Sequence, residues 1–443
     1  MHLPLNGRVA IVEDNINEAK PLMSLFAQER VPYIYFQGDE IAMLPEEAPK
    51  NDIRILFLDI NLINHGTPTH KEIKSIIYSV VNKLISEDNF PYVLIYWSKQ
   101  EDEYANLVAE LFSKELKKKA PITIKRFVKT QFFSLDGSPI ENELNLKEEL
   151  IKVLSEELSY CALIGWENLT HQSSNKTLQE VFGSYSPDSD WQKEVDNLLY
   201  KLGSSYSGHH FVSQEAQDKL KSSFNTLNTI FDDTVETVLN SLCGLIKLPF
   251  NKPVTKNLII WDLNRKLLFS NDLLPDSQSG SILELTDPAY TSHFNRLFNG
   301  LVPSSVIKNK LPENFAKEVF DAKRKEIVSE VRQDSLNLAF IVTPLCDYAN
   351  KKDYFIRLIL GAFVKADKHD LLDKNSEAFY YSPPFIFNEK EFRLVLDFKH
   401  FFTLPKIPII GFKKVLRARQ QLLAEIQSKL SRHINRQGIL FIE

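Results

Sequence analysis

The sequence is poor in cysteine, and the placement of its cysteines argues against two kinds of structural site. Only three are present, Cys161, Cys243 and Cys346, and no pair has CxxC spacing. This argues against a disulfide framework and a structural zinc site. There is also no run of roughly 18 apolar residues, so we expect no membrane span. Because the first residues lack the regions of a signal peptide, we expect a reducing, cytoplasmic location.

Charge is unevenly distributed along the chain. Residues 1–150 carry 17 basic and 23 acidic side chains, residues 151–245 carry 6 and 13, and residues 246–443 carry 30 and 22. The net charges are therefore −6, −7 and +8. Opposite signs favour docking of the C-terminal part on the acidic part, or an anionic partner. The alternative is an uneven solvated surface.

The first third of the chain alternates between strand-like and helix-like segments. Apolar strand patterns occur at residues 8–12, 33–36, 54–58, 92–96 and 122–128. Helical spacing of apolar residues occurs at 15–28, 71–85, 103–118 and 146–158. This alternation predicts an α/β fold, a doubly wound parallel sheet of five strands with helices on both faces.

Polar side chains follow four of these strands, where ligands bind in open parallel sheets. They are Glu13 and Asp14, Asp59, Ser98, and Lys129. Crowded carboxylates repel one another, and a hard divalent cation such as Mg²⁺ relieves that repulsion through oxygen ligands. A hydroxyl and an ammonium group nearby would complete a site for a phosphoryl group.

This arrangement resembles the response-regulator receiver domain of two-component signalling, which has a flavodoxin-like fold, over roughly residues 6–155. The resemblance implies that Asp59, in FLDIN, is the phosphoacceptor. It further implies that Ser98, in YWS, bonds the phosphoryl oxygen and that Lys129, in RFVK, pairs with the phosphate.

The same resemblance implies a magnesium site. Glu13 and Asp14, in VEDN, correspond to the acid pair that holds the metal. Asp59 would be a further ligand, and Asn61 would contribute its backbone carbonyl. We therefore expect Mg²⁺ as the cofactor.

Three positions depart from the family pattern. Lys99 stands where a small residue usually leaves access for phosphate, Thr130 where proline is common, and Arg126 where a switch aromatic usually lies. The spans from Asp59 to Ser98 and from Ser98 to Lys129 are also longer than usual. A pseudo-receiver that keeps the fold without being phosphorylated is therefore the alternative.

Residues 156–245 have a helical pattern, with heptad-like stretches at 162–169 and 224–239 and expected loops at 184–190 and 203–209. The segments CALIGWENLTHQSSNKTLQEVF and LNTIFDDTVETVL are similar to the helical extension of atypical receivers in bacterial conflict and phage-defence loci. In those loci the receivers sit beside ATPase-type histidine kinases. The resemblance implies such a kinase as partner and antiviral defence as the setting.

Residues 246–443 have a mixed pattern that predicts an α+β domain. Strands are expected at 339–343, 355–364 and 392–398, with a hairpin around Asn264 over 257–269. An amphipathic helix is expected over 413–436.

The sequence thus predicts a receiver domain at 1–155, a helical region at 156–245 and an α+β domain of unknown role at 246–443. Phosphorylation of Asp59 by a histidine kinase would switch an interaction between the C-terminal region and an effector protein. A receiver-gated enzyme or nuclease in 246–443 is the alternative, although Cys346 with Asp347 lacks a recognisable catalytic partner. Nucleic-acid binding through the basic C-terminal helix is less favoured.

Overall fold

The protein is described by a computed structural model that covers residues 8–38, 44, 52–59, 62, 69–98, 104–134, 140, 145–183, 190–242, 257–271, 278–344, 347–348, 352, 354–406 and 412–435. The chain forms two compact units. The first comprises Met1–Leu198 and Asn225–Asn251, and the second comprises Leu199–Phe224 and Lys252–Glu443.

A five-stranded parallel sheet forms the centre of the first unit. Its strands are β1 (Arg8–Glu13), β2 (Tyr33–Gln37), β3 (Ile53–Asp59), β4 (Val93–Ser98) and β5 (Thr123–Val128). They lie in the order β2-β1-β3-β4-β5, and every pair is parallel. This is the flavodoxin-like order, in which β2 is added on one side of β1 and the later strands are added on the other side. The predicted doubly wound α/β fold is confirmed.

Helices cover both faces of this sheet. They are α1 (Ile16–Gln28), α2 (His70–Leu84), α3 (Ala105–Lys114) and α4 (Leu146–Glu156). Successive strand residues face opposite sides, so Leu56 and Leu58 pack with α2 and α3 while Ile55 and Phe57 pack with α1 and α4. A sheet buried on both faces explains why the strands read as continuous apolar runs.

A long helix, α5 (Leu158–Phe182), begins in the core of the first unit. Tyr160, Cys161 and Ile164 are buried in the same cluster as β1, β3 and β4. Arg54 at the start of β3 forms a bidentate ion pair with Glu167 of α5, with nitrogen–oxygen distances of 2.8 and 3.0 Å. The first turns of α5 are therefore part of the domain that holds the sheet.

Two further helices are α6 (Trp191–Ser207) and α7 (Ala216–Leu242). The heptad-like stretches predicted at 162–169 and 224–239 lie within helices α5 and α7. The predicted loop at 203–209 is wrong, because α6 continues to Ser207. Gly203 gives close approach to Phe211, whose ring a Cβ would meet at 2.3 Å, so this glycine serves packing inside a helix. Residues 184–189 of the other predicted loop lie outside the described residues.

The second unit contains an eight-stranded sheet whose described pairings are antiparallel. Its strands are β6 (Phe269–Ser270), β7 (Ser281–Glu284), β8 (Leu336–Ile341), β9 (Phe355–Lys365), β10 (Phe379–Tyr381), β11 (Phe385–Phe387), β12 (Lys390–Pro405) and β13 (Lys413–Ala418). The order is β10-β12-β9-β8-β7-β13-β6, and β11 pairs with β12.

The α-helices that follow α7 in this unit include α8 (Asn257–Leu268), α9 (Thr291–Leu301), α10 (Ser304–Lys308), α11 (Lys317–Arg332) and α12 (Gln420–Ile434). One face of the sheet packs against α9 and α11, and the other packs against α12. The predicted α+β fold of the C-terminal part is therefore confirmed. No described helix of the chain combines the length and the apolar character needed to cross a membrane.

Two local predictions in this unit are wrong. The segment 257–269 is helix α8 followed by a short strand, and Asn264 donates a hydrogen bond to the Pro384 carbonyl at 2.8 Å instead of forming a turn. The segment lacks the glycine that the tight turn of a β-hairpin favours. The predicted helix 413–436 divides into β13 and α12, because pairing of β13 with β7 and β6 overrides helical periodicity.

Candidate functional site

The chemical groups of the first unit collect at the carboxyl ends of its central strands. Glu13 is the last residue of β1, and Asp59 is the last residue of the neighbouring strand β3. Because neighbouring parallel strands end at the same edge of a sheet, these carboxylates lie close together. Lys129 directly follows β5 and brings an ammonium group to the same edge.

The ammonium group of Lys129 is shared by three carboxylates. Its Nζ donates to Glu13 Oε2 at 2.6 Å, to Glu18 Oε2 at 2.8 Å and to Asp59 Oδ2 at 2.8 Å. All four side chains are buried. Such charges are tolerated in an interior only when they are paired and hydrogen-bonded. We call these four residues the lysine cluster.

Sequence reasoning missed Glu18, which lies in the first turn of α1. Asn15 caps this helix by accepting from the backbone N–H of Asn17, and its side chain donates to Glu18 Oε1 at 3.0 Å. Side chains of a helix lean towards its N-terminus, which brings Glu18 back over the strand ends. The available signal was the spacing of Asn15 and Glu18, which is typical of a helix start and says nothing about a site.

Burial sets the protonation of the lysine cluster. Desolvation, helped by the neighbouring Asp59 carboxylate, raises the pKa of Glu13 to about 10, although the Lys129 ammonium opposes the shift. Burial alone would lower the pKa of Lys129, but the Asp59 and Glu13 carboxylates outweigh it and raise that pKa. The carboxylates around Lys129 therefore favour its charged form.

The acidic part of the site has the donor chemistry of a hard divalent cation. Glu13, Asp14 and Asp59 each offer a carboxylate oxygen, and these oxygens all lie within 4.8 Å of one another. Oxygen ligands, with water completing the shell, are what Mg²⁺ prefers. Asp14 is only half-buried, so water can reach the cluster from its side. The residues therefore fit a magnesium ion.

The remaining predicted site residues are placed only in part. Ser98 ends β4, where its backbone pairs with Val128, one residue before Lys129. Its side chain is outside what the structure describes, as are Asn61 and Lys99. The roles of Ser98 and Asn61 therefore stay predictions.

The raised pKa of Glu13 gives a testable dependence of stability on pH. A carboxyl group whose pKa is raised by folding binds more protons in the folded state, so its contribution to stability falls as pH rises from about 4.5 to about 10. We expect the free energy of unfolding in metal-free buffer to decline over this range, and Glu13→Gln to flatten the decline. Urea unfolding at several pH values measures both. Equal slopes for the two proteins would contradict this assignment.

The metal assignment predicts a loss of affinity when Asp14 is neutralised. Asp14→Asn should weaken Mg²⁺ binding by at least about tenfold, since even changes outside the ligand shell cost that much. Thermal shift against Mg²⁺ concentration measures the affinity, because a ligand that binds only the folded state stabilises it. Asp88→Asn is the control, since Asp88 is exposed and lies before β4, at the opposite edge of the sheet. Equal affinities for the two variants would remove Asp14 from the site.

Comparison with known proteins finds similar solved structures only. No protein-family model matches the sequence, and no curated protein matches it. The signal receiver domain of a protein described as a Luxo repressor, from Vibrio parahaemolyticus, is 13% identical with a TM-score of 0.21, over 37% of this chain and 97% of that one. Full-length FixJ from B. japonicum is 10% identical with a TM-score of 0.21, over 54% and 98%. At these values neither likeness decides the chemistry of this chain.

Proposed function

We propose that the first unit is a receiver domain that accepts a phosphoryl group on Asp59 in the presence of Mg²⁺. The observation that carries this proposal is the lysine cluster beside Asp14 at the carboxyl ends of β1, β3 and β5. A nucleophilic carboxylate, a metal-binding acid pair and a fixed ammonium group are the parts that phosphoryl transfer to an aspartate needs.

The proposed reaction is a substitution at phosphorus. An oxygen of the Asp59 carboxylate attacks the phosphorus of a phosphohistidine or of acetyl phosphate, and the bond from phosphorus to the donor breaks. The products are an acyl phosphate on Asp59 and the free donor. Bound Mg²⁺ would supply positive charge close to the phosphoryl oxygens. Lys129 contributes a second positive charge from the protein, so that catalysis is mainly positioning and electrostatics.

Lys129 also supplies the proposed switch. The ammonium nitrogen of Lys129 lies 2.8 Å from Asp59 Oδ2, so a phosphoryl group on Asp59 would offer strong acceptor oxygens close to it. Lys129 would exchange carboxylate partners for phosphoryl oxygens, and Glu18 would then compete for the same ammonium. A partner exchange of this kind can bias a two-state equilibrium in the domain.

We further propose that this equilibrium controls an interaction of the C-terminal region with an effector, in a two-component system with a histidine kinase. The similarity of residues 161–182 to the extension of phage-defence receivers supports antiviral defence as the setting. The contacts of Tyr160 and Glu167 with the sheet domain support α5 as the element through which the change is passed on.

Beryllofluoride tests the proposal without a kinase, because it mimics a phosphoryl group on an aspartate. We expect beryllofluoride with Mg²⁺ to raise the melting temperature beyond the effect of Mg²⁺ alone, and Asp88→Asn to respond like the parent. No additional shift, under conditions in which a known receiver responds, would favour a pseudo-receiver.

A further inference from the structure

The second unit contains a cavity of about 450 Å³ between α9 and β12. Its walls come from Tyr290 and the α9 residues His293 and Arg296 on one side, and from β12 on the other. A volume of this size is in the range that holds a small organic ligand. The described lining residues all belong to the second unit.

Four of the side chains that line the cavity are basic. Arg296, Lys399, His293 and His400 line it, and no carboxylate is among the described lining residues. His293 and Arg296 are three residues apart on α9 and therefore share a face of that helix. The ring centroids of the two histidines are 6.3 Å apart. These groups can donate several hydrogen bonds to one anion, as phosphate sites require.

A bulge in β12 builds the opposite wall. Asp397 pairs with Leu360 of β9, but Phe401 pairs with the adjacent Ile359, so residues 398–400 are inserted between the two pairings. Bulges re-aim side chains and are common beside functional sites. Here the insertion delivers Lys399 and His400 to the cavity.

One buried carboxylate holds the bulge in shape. Asp397 is 2% exposed, and its Oδ1 accepts from the Lys399 backbone N–H at 3.0 Å. Its Oδ2 lies 2.7 Å from Nδ1 of His400. An Nδ1–H bond to a carboxylate fixes the orientation of an imidazole and leaves Nε2 for another partner. His400 is thus a positioned group, unlike a histidine on a free surface.

Aromatic and apolar side chains complete the lining. Tyr290, Phe401 and Phe402 border the cavity, and Phe401 is 36% exposed. Aromatic faces beside cationic groups are the usual combination for a planar ring that carries phosphate, because bases stack on aromatic side chains.

We propose that this cavity binds a small phosphate ester with an aromatic ring, of the nucleoside monophosphate class. Arg296 and Lys399 contact the phosphate. His400, as an imidazolium whose Nδ1–H donates to Asp397, donates to the phosphate through Nε2–H. The rings of Phe401 and Tyr290 contact the base. The site is separate from Asp59 and would make the second unit a ligand-binding domain.

Adenosine 5′-monophosphate, adenosine and inorganic phosphate are the probes, measured on the full chain by calorimetry and thermal shift. We expect the monophosphate to bind more tightly than adenosine or phosphate. Arg296→Gln should weaken its binding by about tenfold, the scale of one lost charge-assisted hydrogen bond. Lys308→Gln is the control, because Lys308 is an exposed residue of α10 outside the cavity lining.

Because Arg296 is exposed, Arg296→Gln should have the melting temperature of the parent in the absence of ligand. His400→Gln tests the opposite wall of the cavity and should also weaken binding of the monophosphate. Asp59→Asn should bind the monophosphate like the parent. The proposal is overturned if none of the four common ribonucleoside monophosphates binds at about 1 mM. It is also overturned if Arg296→Gln and Lys308→Gln bind alike, or if phosphate alone binds as tightly as the monophosphate.

Discussion

Replacing Asp59 by asparagine should abolish phosphoryl incorporation from acetyl phosphate. The amide is nearly the same size as the carboxylate, but it is a poor nucleophile and lacks the negative charge that both Lys129 and a metal ion would contact. The carboxylates of Glu13 and Glu18 remain in the lysine cluster, so the variant tests whether Asp59 itself is the nucleophile. Intact mass after incubation with acetyl phosphate and Mg²⁺ gives the fraction modified.

Asp88→Asn is the matched control for this loss. It removes one carboxylate from the same domain at the opposite edge of the sheet, and it should incorporate phosphoryl groups like the parent. Full incorporation by Asp59→Asn would show that another group reacts. In that case the ion pairs around Lys129 would stabilise the fold and take no part in phosphoryl transfer.

Replacing Lys129 by methionine should cause the largest loss of stability. It leaves Glu13, Glu18 and Asp59 buried together without their shared ammonium. Breaking a buried ion pair by removing one partner costs about 3 kcal/mol or more. We expect a loss of about 3 kcal/mol in the free energy of unfolding at pH 8 without metal. The loss should shrink on addition of Mg²⁺.

Lys125→Met, which removes a lysine within β5, is the control for this loss. Lys125 is more exposed and pairs with Glu156 and Glu157, so its replacement should cost less than about 1 kcal/mol. Urea unfolding with and without Mg²⁺ measures both variants. Equal losses for the two would mean that the buried carboxylates do not depend on Lys129. If Lys129→Met folds in Mg²⁺, we expect its signalling to suffer more than its phosphoryl uptake.

The fold of the first unit could be predicted because its strands are buried on both faces. A continuous apolar run such as RILFL, which precedes Asp59, indicates a buried parallel strand when strand-like and helix-like segments alternate. The polar residues that follow such strands must then meet at one edge of the sheet. That reasoning brings Glu13, Asp59 and Lys129 together, as the structure does. It fails for Glu18, because its position depends on the direction in which a helical side chain leans over the strand ends.

The second unit was harder to predict because its decisive features are tertiary. The segment 413–418 has apolar spacing suited to a helix, but pairing with β7 makes it a strand. The cavity depends on the three inserted residues of β12, which no periodic pattern reveals. His293 and His400 are more than a hundred positions apart in sequence, so only the folded chain shows that they are neighbours.

The most direct test of the receiver assignment is to locate the phosphoryl group on the parent protein. The chain is incubated with acetyl phosphate and either Mg²⁺ or a chelator, and the modified residue is identified by peptide mass spectrometry. We predict one phosphoryl group, on Asp59, that requires Mg²⁺. Modification at another residue, or equal modification in the chelator, would contradict the account.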